Sequence, residues 1–153
     1  APKHVQQLVE EGHLRWDSLG EFCALGESLI FASELLQSRK SAILGRAVDA
    51  ATQNILTYNK SPQRGVGQTD TRDSHFYFAF YWAQAVAAQT DDAEMAATFA
   101  AMAAEIESHE SQIVIELAST QGQPCDLGGY YRPNTDLVAK IMRPSATFNR
   151  IIG

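Results

Sequence analysis

A mainly α fold is predicted from three observations. Apolar residues recur at helical spacing along nearly the whole chain, capping and stop signals punctuate that pattern, and strand signals are scarce. The 153 residues are 45% hydrophobic and 20% charged, the composition of a folded globular protein, and their number suits one helical unit over residues 1–153.

Pro2 suits a first helical position, and Val5, Leu8 and Val9 form a short stripe that stops at Gly12. Ala1 then becomes the N-cap, a position that Ala serves poorly. With no initiator Met, such a start points to a chain cut from something longer. Ser18-Leu19-Gly20-Glu21 has the form of a capping box. The helix it opens carries Phe22, Leu25, Leu29, Ala32 and Leu36 on one face. Ser41 precedes a third helix with Leu44, Ala47, Val48, Ala51 and Ile55 at helical spacing. Asn59 to Thr71, with Pro62, Gly65 and Gly67, reads as a loop.

The segment His75 to Ala88 is apolar or aromatic almost all round, which places it at the centre of a fold. Its length and Ala-rich end favour a helix over the strand that Phe, Tyr and Trp also suit. Asp91 with Glu94 starts a helix through Met95, Phe99, Met102 and Ile106. Ile113, Val114 and Leu117 either continue it or follow a break near Ser108. Gln121 to Asn134 is a glycine- and proline-rich loop, long enough to have a task. A short helix from Asn134 ends before Pro144, and Ser145 caps a last turn.

The net charge of −6 argues against nucleic acid and anionic lipid as broad partners. No window approaches the roughly 18 uninterrupted apolar residues of a membrane span, and no basic stretch leads into an apolar one as in a secretory signal. Cys23 and Cys125 form no CxxC pair; reduced thiols in a cytoplasm are expected, with a disulfide the open alternative.

Four groups of residues bear on chemistry. Gly65-Val66-Gly67 lacks both the third glycine and the preceding strand of a dinucleotide fingerprint, and reads as loop. Glu105, Glu107, His109 and Glu110 provide a single Glu/His pair, four residues apart, whereas helical di-iron sites need paired Glu-x-x-His motifs; a solvated acidic face is the better reading. Asp70, Asp73 and His75 stand at a helix start, where carboxylates complement the dipole; that structural reading suffices, with acid–base catalysis the unsupported alternative. Lys3 and His4, Arg15 and Arg64 are separated cations near a helix start and in loops, with Asp17 two residues from Arg15. Arginine forks and free helix amides suit a phosphate, and Asp17 could accept from a ribose or an adenine amine. On spacing alone, scattered surface charge is the stronger reading of this set, and phosphate binding the alternative.

Several long stretches resemble the monomeric NADP-dependent isocitrate dehydrogenases of bacteria. They are Ala1-Pro2-Lys3-His4-Val5-Gln6-Gln7, Gly12 through Glu21, Asn59-Lys60-Ser61-Pro62, Ser74-His75-Phe76-Tyr77, Tyr81-Trp82-Ala83-Gln84, Gly128-Gly129-Tyr130-Tyr131 and Met142 through Thr147. The resemblance implies the C-terminal part of a longer chain that folds as a two-domain α/β enzyme with its active site in the cleft. This part would join the N-terminal segment in one domain and form the NADP-binding side of the cleft. The family's His and two Arg on the NADP 2′-phosphate match His4, Arg15 and Arg64, and its Asp near the adenosine matches Asp17. A Ser contact would lie just before Ala1.

The family's Mg2+ or Mn2+ ligands, its isocitrate-binding residues and its catalytic Lys and Tyr belong to earlier parts of the chain, so none is assigned here. The parent enzyme is expected to be cytoplasmic and monomeric, with NADP and isocitrate as partners and with neither nucleic acid nor membrane. The segment alone is expected to be inactive. It would self-associate, or pair with the missing N-terminal part, if the apolar helix at His75 to Ala88 were left uncovered. A free-standing helical scaffold without nucleotide binding is the alternative.

Overall fold

Residues 2–153 are described by a computed structural model; Ala1, the expected poor N-cap, lies outside the described residues. The helices are α1 (Pro2–Glu11), α2 (Leu19–Leu35), α3 (Arg39–Thr57), α4 (Thr71–Ala88), α5 (Ala93–Ala118), α6 (Thr135–Met142) and α7 (Ala146–Ile152). No strand occurs among the described residues, as the mainly α reading requires.

The aromatic segment is a helix and it is central. α4 lies between α3 and α5, and α2 and α7 pack on those two in turn. Phe76, Tyr77, Phe78, Phe80, Tyr81 and Val86 are all buried. Phe22 of α2 reaches over to stack on Phe78, ring centroids 3.9 Å apart and planes 4° from parallel. A fully buried Phe or Ile contributes roughly 1.5–3 kcal/mol, so this aromatic layer carries much of the driving force for folding. α4 itself is thus covered within the chain.

α3 presents the expected face: Ala47, Val48, Ala51 and Ile55 are buried, and Leu44 is half-buried. Its start differs, because Ser38 rather than Ser41 is the N-cap and accepts the Ser41 amide at 3.3 Å. α5 runs unbroken past Ser108, whose hydroxyl donates to the Glu105 carbonyl at 2.8 Å without leaving the helix. Its N-cap is Asp92, one residue beyond Asp91, which instead accepts from Arg46 at 2.7 Å. Ser145 caps α7 as expected, and Asn134, the expected start of the short helix, is the N-cap of α6.

α2 departs most from its expected form. Its buried residues are Phe22 and Gly26, Leu29 and Ala32 are half-buried, and Leu36 is 70% exposed. The helix is apolar on nearly every side, so periodicity gives no direction, and close approach to α3 selects the face. A Cβ on Gly45 would stand 2.8 Å from Ile30 Cδ1 and 3.1 Å from the Gly26 carbonyl oxygen. Ser18 is not a side-chain cap: Asp17 Oδ1 accepts the Leu19 amide at 3.0 Å, and Glu21 accepts from the Trp16 indole at 3.0 Å.

α7 is fastened by one carboxylate. Glu116 of α5 accepts from the Ser145 hydroxyl at 2.7 Å, the Thr147 amide at 3.0 Å and the Thr147 hydroxyl at 2.8 Å. The Ser145 bond first, then those from Thr147, outweigh desolvation and bring the Glu116 carboxyl down to about 2, from a usual 4.5. A depressed acid stabilises the fold above its unfolded pKa and loses that contribution as pH falls through the folded one. The docking of α7 is therefore expected to weaken between about pH 4.5 and pH 2. The Thr147 amide shift, followed by NMR, should titrate with a midpoint near 2; a midpoint near 4.5 would contradict the assignment.

Candidate functional site

The loop from Gly12 to Asp17 turns at Gly12, whose φ of +61° ends α1 in the left-handed region. It is then laid across the start of α4. The Thr71 amide donates to the Leu14 carbonyl at 2.7 Å, and the Thr71 hydroxyl to the Leu14 and Trp16 carbonyls at 2.9 and 2.6 Å. Arg15 is the residue between those two anchored carbonyls.

Beneath this loop lies a buried ion pair. Arg72 and Asp70 are in contact through Arg72 Nη2 and Asp70 Oδ2, each side chain 1% exposed. Arg72 Nη2 also donates to the Gly12 carbonyl at 2.6 Å, while Nη1 reaches the Ile141 carbonyl at 2.9 Å and the Thr120 hydroxyl. One guanidinium thus joins the loop after α1 to the ends of α5 and α6. Asp70 is meanwhile the N-cap of α4 in a reciprocal box with Asp73. Burial pushes the Asp73 carboxyl up against the hydrogen bond from the Asp70 amide.

The remaining residues weighed for chemistry are held structurally. His75 Nδ1 donates to the Thr71 carbonyl at 2.8 Å. Tyr77 donates to Glu110 at 2.8 Å, and burial, then that bond, push its hydroxyl far up. Glu105 pairs with Arg150 at 2.6 Å, and His109 Nδ1 lies 2.9 Å from the Glu105 carbonyl. No group of three His, Cys, Asp or Glu among the described residues could hold a metal ion. Gly65 and Gly67 sit in a turn with no strand before it. Both cysteines are free thiols, Cys125 donating to the Leu8 carbonyl. No helix among the described residues is long and apolar enough to cross a membrane.

The separated cations are brought together. His4 from the first turn of α1, Arg15 from the first loop and Arg64 from the loop between α3 and α4 line one open hollow of about 430 Å³ with Pro62 and Gln63. The His4 ring stands edge-on to Trp16, centroids 5.4 Å apart. His4 Nδ1 and Arg15 Nε are buried with no hydrogen-bond partner among the described residues, as are Gln7 Oε1, Ser61 Oγ and Ser74 Oγ, which do not line the hollow. Buried polar atoms are normally paired, so two such atoms on residues lining one hollow mark a place shaped for another group. The acidic side chains that form ion pairs here are taken by Arg39, Arg46, Arg72 and Arg150, leaving Arg15 and Arg64 without an acidic partner among the described residues. Two guanidinium groups and an imidazole, unneutralised in a chain of charge −6, form a set of donors for a multiply charged oxyanion. Asp17 does not line the hollow; it is exposed at its edge in sequence and caps α2.

Sequence reasoning missed the residues that hold this arrangement. Neither Arg72 nor the fully buried His13 is singled out for a role by the sequence. Apart from Asp70, two residues from Arg72, the side-chain partners that give them their roles lie 48 to 108 positions away.

The profile of the monomeric isocitrate dehydrogenase family matches residues 1–153. The chain is 56% identical over 149 residues to isocitrate dehydrogenase [NADP] of Azotobacter vinelandii, covering 97% of this chain and 20% of that protein. It is 53% identical over 152 residues to isocitrate dehydrogenase [NADP] 2 of Colwellia maris, with 99% and 20% covered. With isocitrate dehydrogenase [NADP] 2 of Mycobacterium tuberculosis it shares 51% over 149 residues, again 97% and 20%. The chain thus spans about one fifth of the length of these relatives. It belongs to the monomeric isocitrate dehydrogenase family.

Proposed function

We propose that this chain is the part of a cytoplasmic, monomeric NADP-dependent isocitrate dehydrogenase that recognises the 2′-phosphate of NADP. His4, Arg15 and Arg64 hold the phosphate, and Asp17 stands beside the adenosine. The observation that carries this reading is the convergence of His4, Arg15 and Arg64 in one hollow, with buried, unpartnered His4 Nδ1 and Arg15 Nε. Their chemistry fits a dianion and gives little to the uncharged ribose hydroxyl of NAD. Charge-assisted hydrogen bonds of roughly 1.5–3 kcal/mol each would make that preference large.

In the whole enzyme isocitrate is oxidised and decarboxylated to 2-oxoglutarate and CO2 with formation of NADPH, chemistry that resides in the cofactor. This segment binds and orients; the divalent cation, Mg2+ or Mn2+, does not fit any set of its described residues and is assigned to residues outside it. The rest of such an enzyme finds an apolar surface on the outer side of α2, where Phe31 and Leu35 are 66% and 69% exposed.

The test is a comparison of NADP and NAD in the complete enzyme carrying this segment. Arg15→Ala and Arg64→Ala are each expected to raise the KM for NADP about 10- to 100-fold and to leave that for NAD nearly unchanged. Equal use of the two nucleotides by the unsubstituted enzyme would overturn the reading and favour a helical scaffold. The 153-residue chain alone is expected to form no NADPH from isocitrate; measurable turnover would contradict the assignment of the missing ligands.

A further inference from the structure

We infer that His13 is a positioning residue for 2′-phosphate recognition, fixing where the Arg64 loop stands relative to Arg15; the inference rests on the function proposed above. Arg64 is exposed and lies in a stretch with neither helix nor strand, between Pro62 and two glycines, one of them at φ +81°. Left to itself, such a loop would spread its guanidinium over many positions, and binding would have to recover that entropy.

The loop is tied at consecutive carbonyls. His13 Nε2 lies 2.8 Å from the Gln63 carbonyl oxygen, an acceptor, so the imidazole is the donor. Gln7 Nε2 donates to the next carbonyl, that of Arg64, at 3.0 Å. His13 is fully buried and stands two residues before Arg15 in the loop anchored by Thr71. Gln63 immediately precedes Arg64. One imidazole therefore connects the two segments that bear the guanidinium groups.

The far side of the ring faces Gln121, whose Oε1 stands 3.1 Å from Nδ1 and accepts the Gly67 amide at 2.8 Å, while its Nε2 donates to the Gln68 carbonyl at 3.1 Å. The second end of the same loop is thereby tied to a side chain that sits against the same ring. Gln7 sits one turn from His4 on α1, so that imidazole shares the frame.

Two substitutions separate the ring nitrogens in the complete enzyme. In His13→Gln the longer amide can still reach the Gln63 carbonyl in place of Nε2. In His13→Asn the amide falls short of it and can replace only Nδ1. His13→Asn is expected to lower the preference for NADP over NAD about tenfold, through the KM for NADP with kcat little changed, while His13→Gln keeps most of that preference. Thermal midpoints are recorded for both, since a merely structural role would lower preference only in step with stability. Should His13→Asn fail to fold, Gln7→Met decides, with a loss of preference of about threefold expected from removal of the Arg64 tie. A folded His13→Asn with unchanged preference overturns the proposal, as does unchanged preference in Gln7→Met when that variant decides. Absence of any NADP preference before substitution overturns the function reading itself.

Discussion

Arg72→Leu is expected to destabilise the protein by about 3–5 kcal/mol, the cost of stranding one member of a buried ion pair. Asp70 would remain 1% exposed, keeping amide donors but losing the guanidinium that neutralises it. The Gly12 and Ile141 carbonyls and the Thr120 hydroxyl would lose their donor in the same step. Lysine is not expected to rescue, because a single ammonium cannot serve acceptors spread around a planar fork. Asp70→Asn added to Arg72→Leu should recover much of the loss, since asparagine still caps α4 and leaves no buried charge. Denaturant unfolding measures both, and a loss below 1 kcal/mol in the single variant would show that the pair is not the fold's central tie. The functional consequence is direct: the Gly12 carbonyl that Arg72 holds begins the loop carrying His13 and Arg15.

Gly12→Ala is expected to cost about 2–4 kcal/mol, the sum of a left-handed backbone penalty and a steric clash. Its Cβ would fall 2.1 Å from the Thr120 carbonyl oxygen and 2.8 Å from that of Gln123, both backbone atoms that cannot swing aside. The two strands of chain are close because Gly122 and Cys125 donate their amides to the Glu11 and Val9 carbonyls at 2.7 and 2.9 Å. Gly67→Ala is the control: φ is +81°, but nothing lies within 4 Å of its Cβ, so only the backbone penalty of about 1 kcal/mol applies. Equal losses in the two variants, compared by thermal or denaturant unfolding, would refute the steric argument.

Much of the fold was legible because helices announce themselves locally. The stripe of Ala47, Val48, Ala51 and Ile55, the caps at Asn134 and Ser145, and the stop at Gly12 all depend on residues within a few positions of one another. The central place of α4 followed from its lack of a polar face. α2 was misread for a related reason: where apolar residues stand on every side, no local pattern says which side turns inward, and Gly26 against Gly45 settles it. Ser18 and Glu21 match a capping box in spacing, yet Asp17 and Trp16 claim the bonds first.

The site divides in the same way. Its residue types were readable, and the match of His4, Arg15, Asp17 and Arg64 to a phosphate-binding set came from motif resemblance, since spacing alone favoured scattered surface charge. By itself the sequence determined the helical class, most helix ends and the family, because these are written in short-range chemistry and in long ordered motifs. Only the tertiary structure decided that His4, Arg15 and Arg64 share one hollow, that Asp17 stands outside it, and that Arg72 and His13 hold its walls. Those facts are contacts between residues up to 108 positions apart, and a buried charge or imidazole is recognised by its partners.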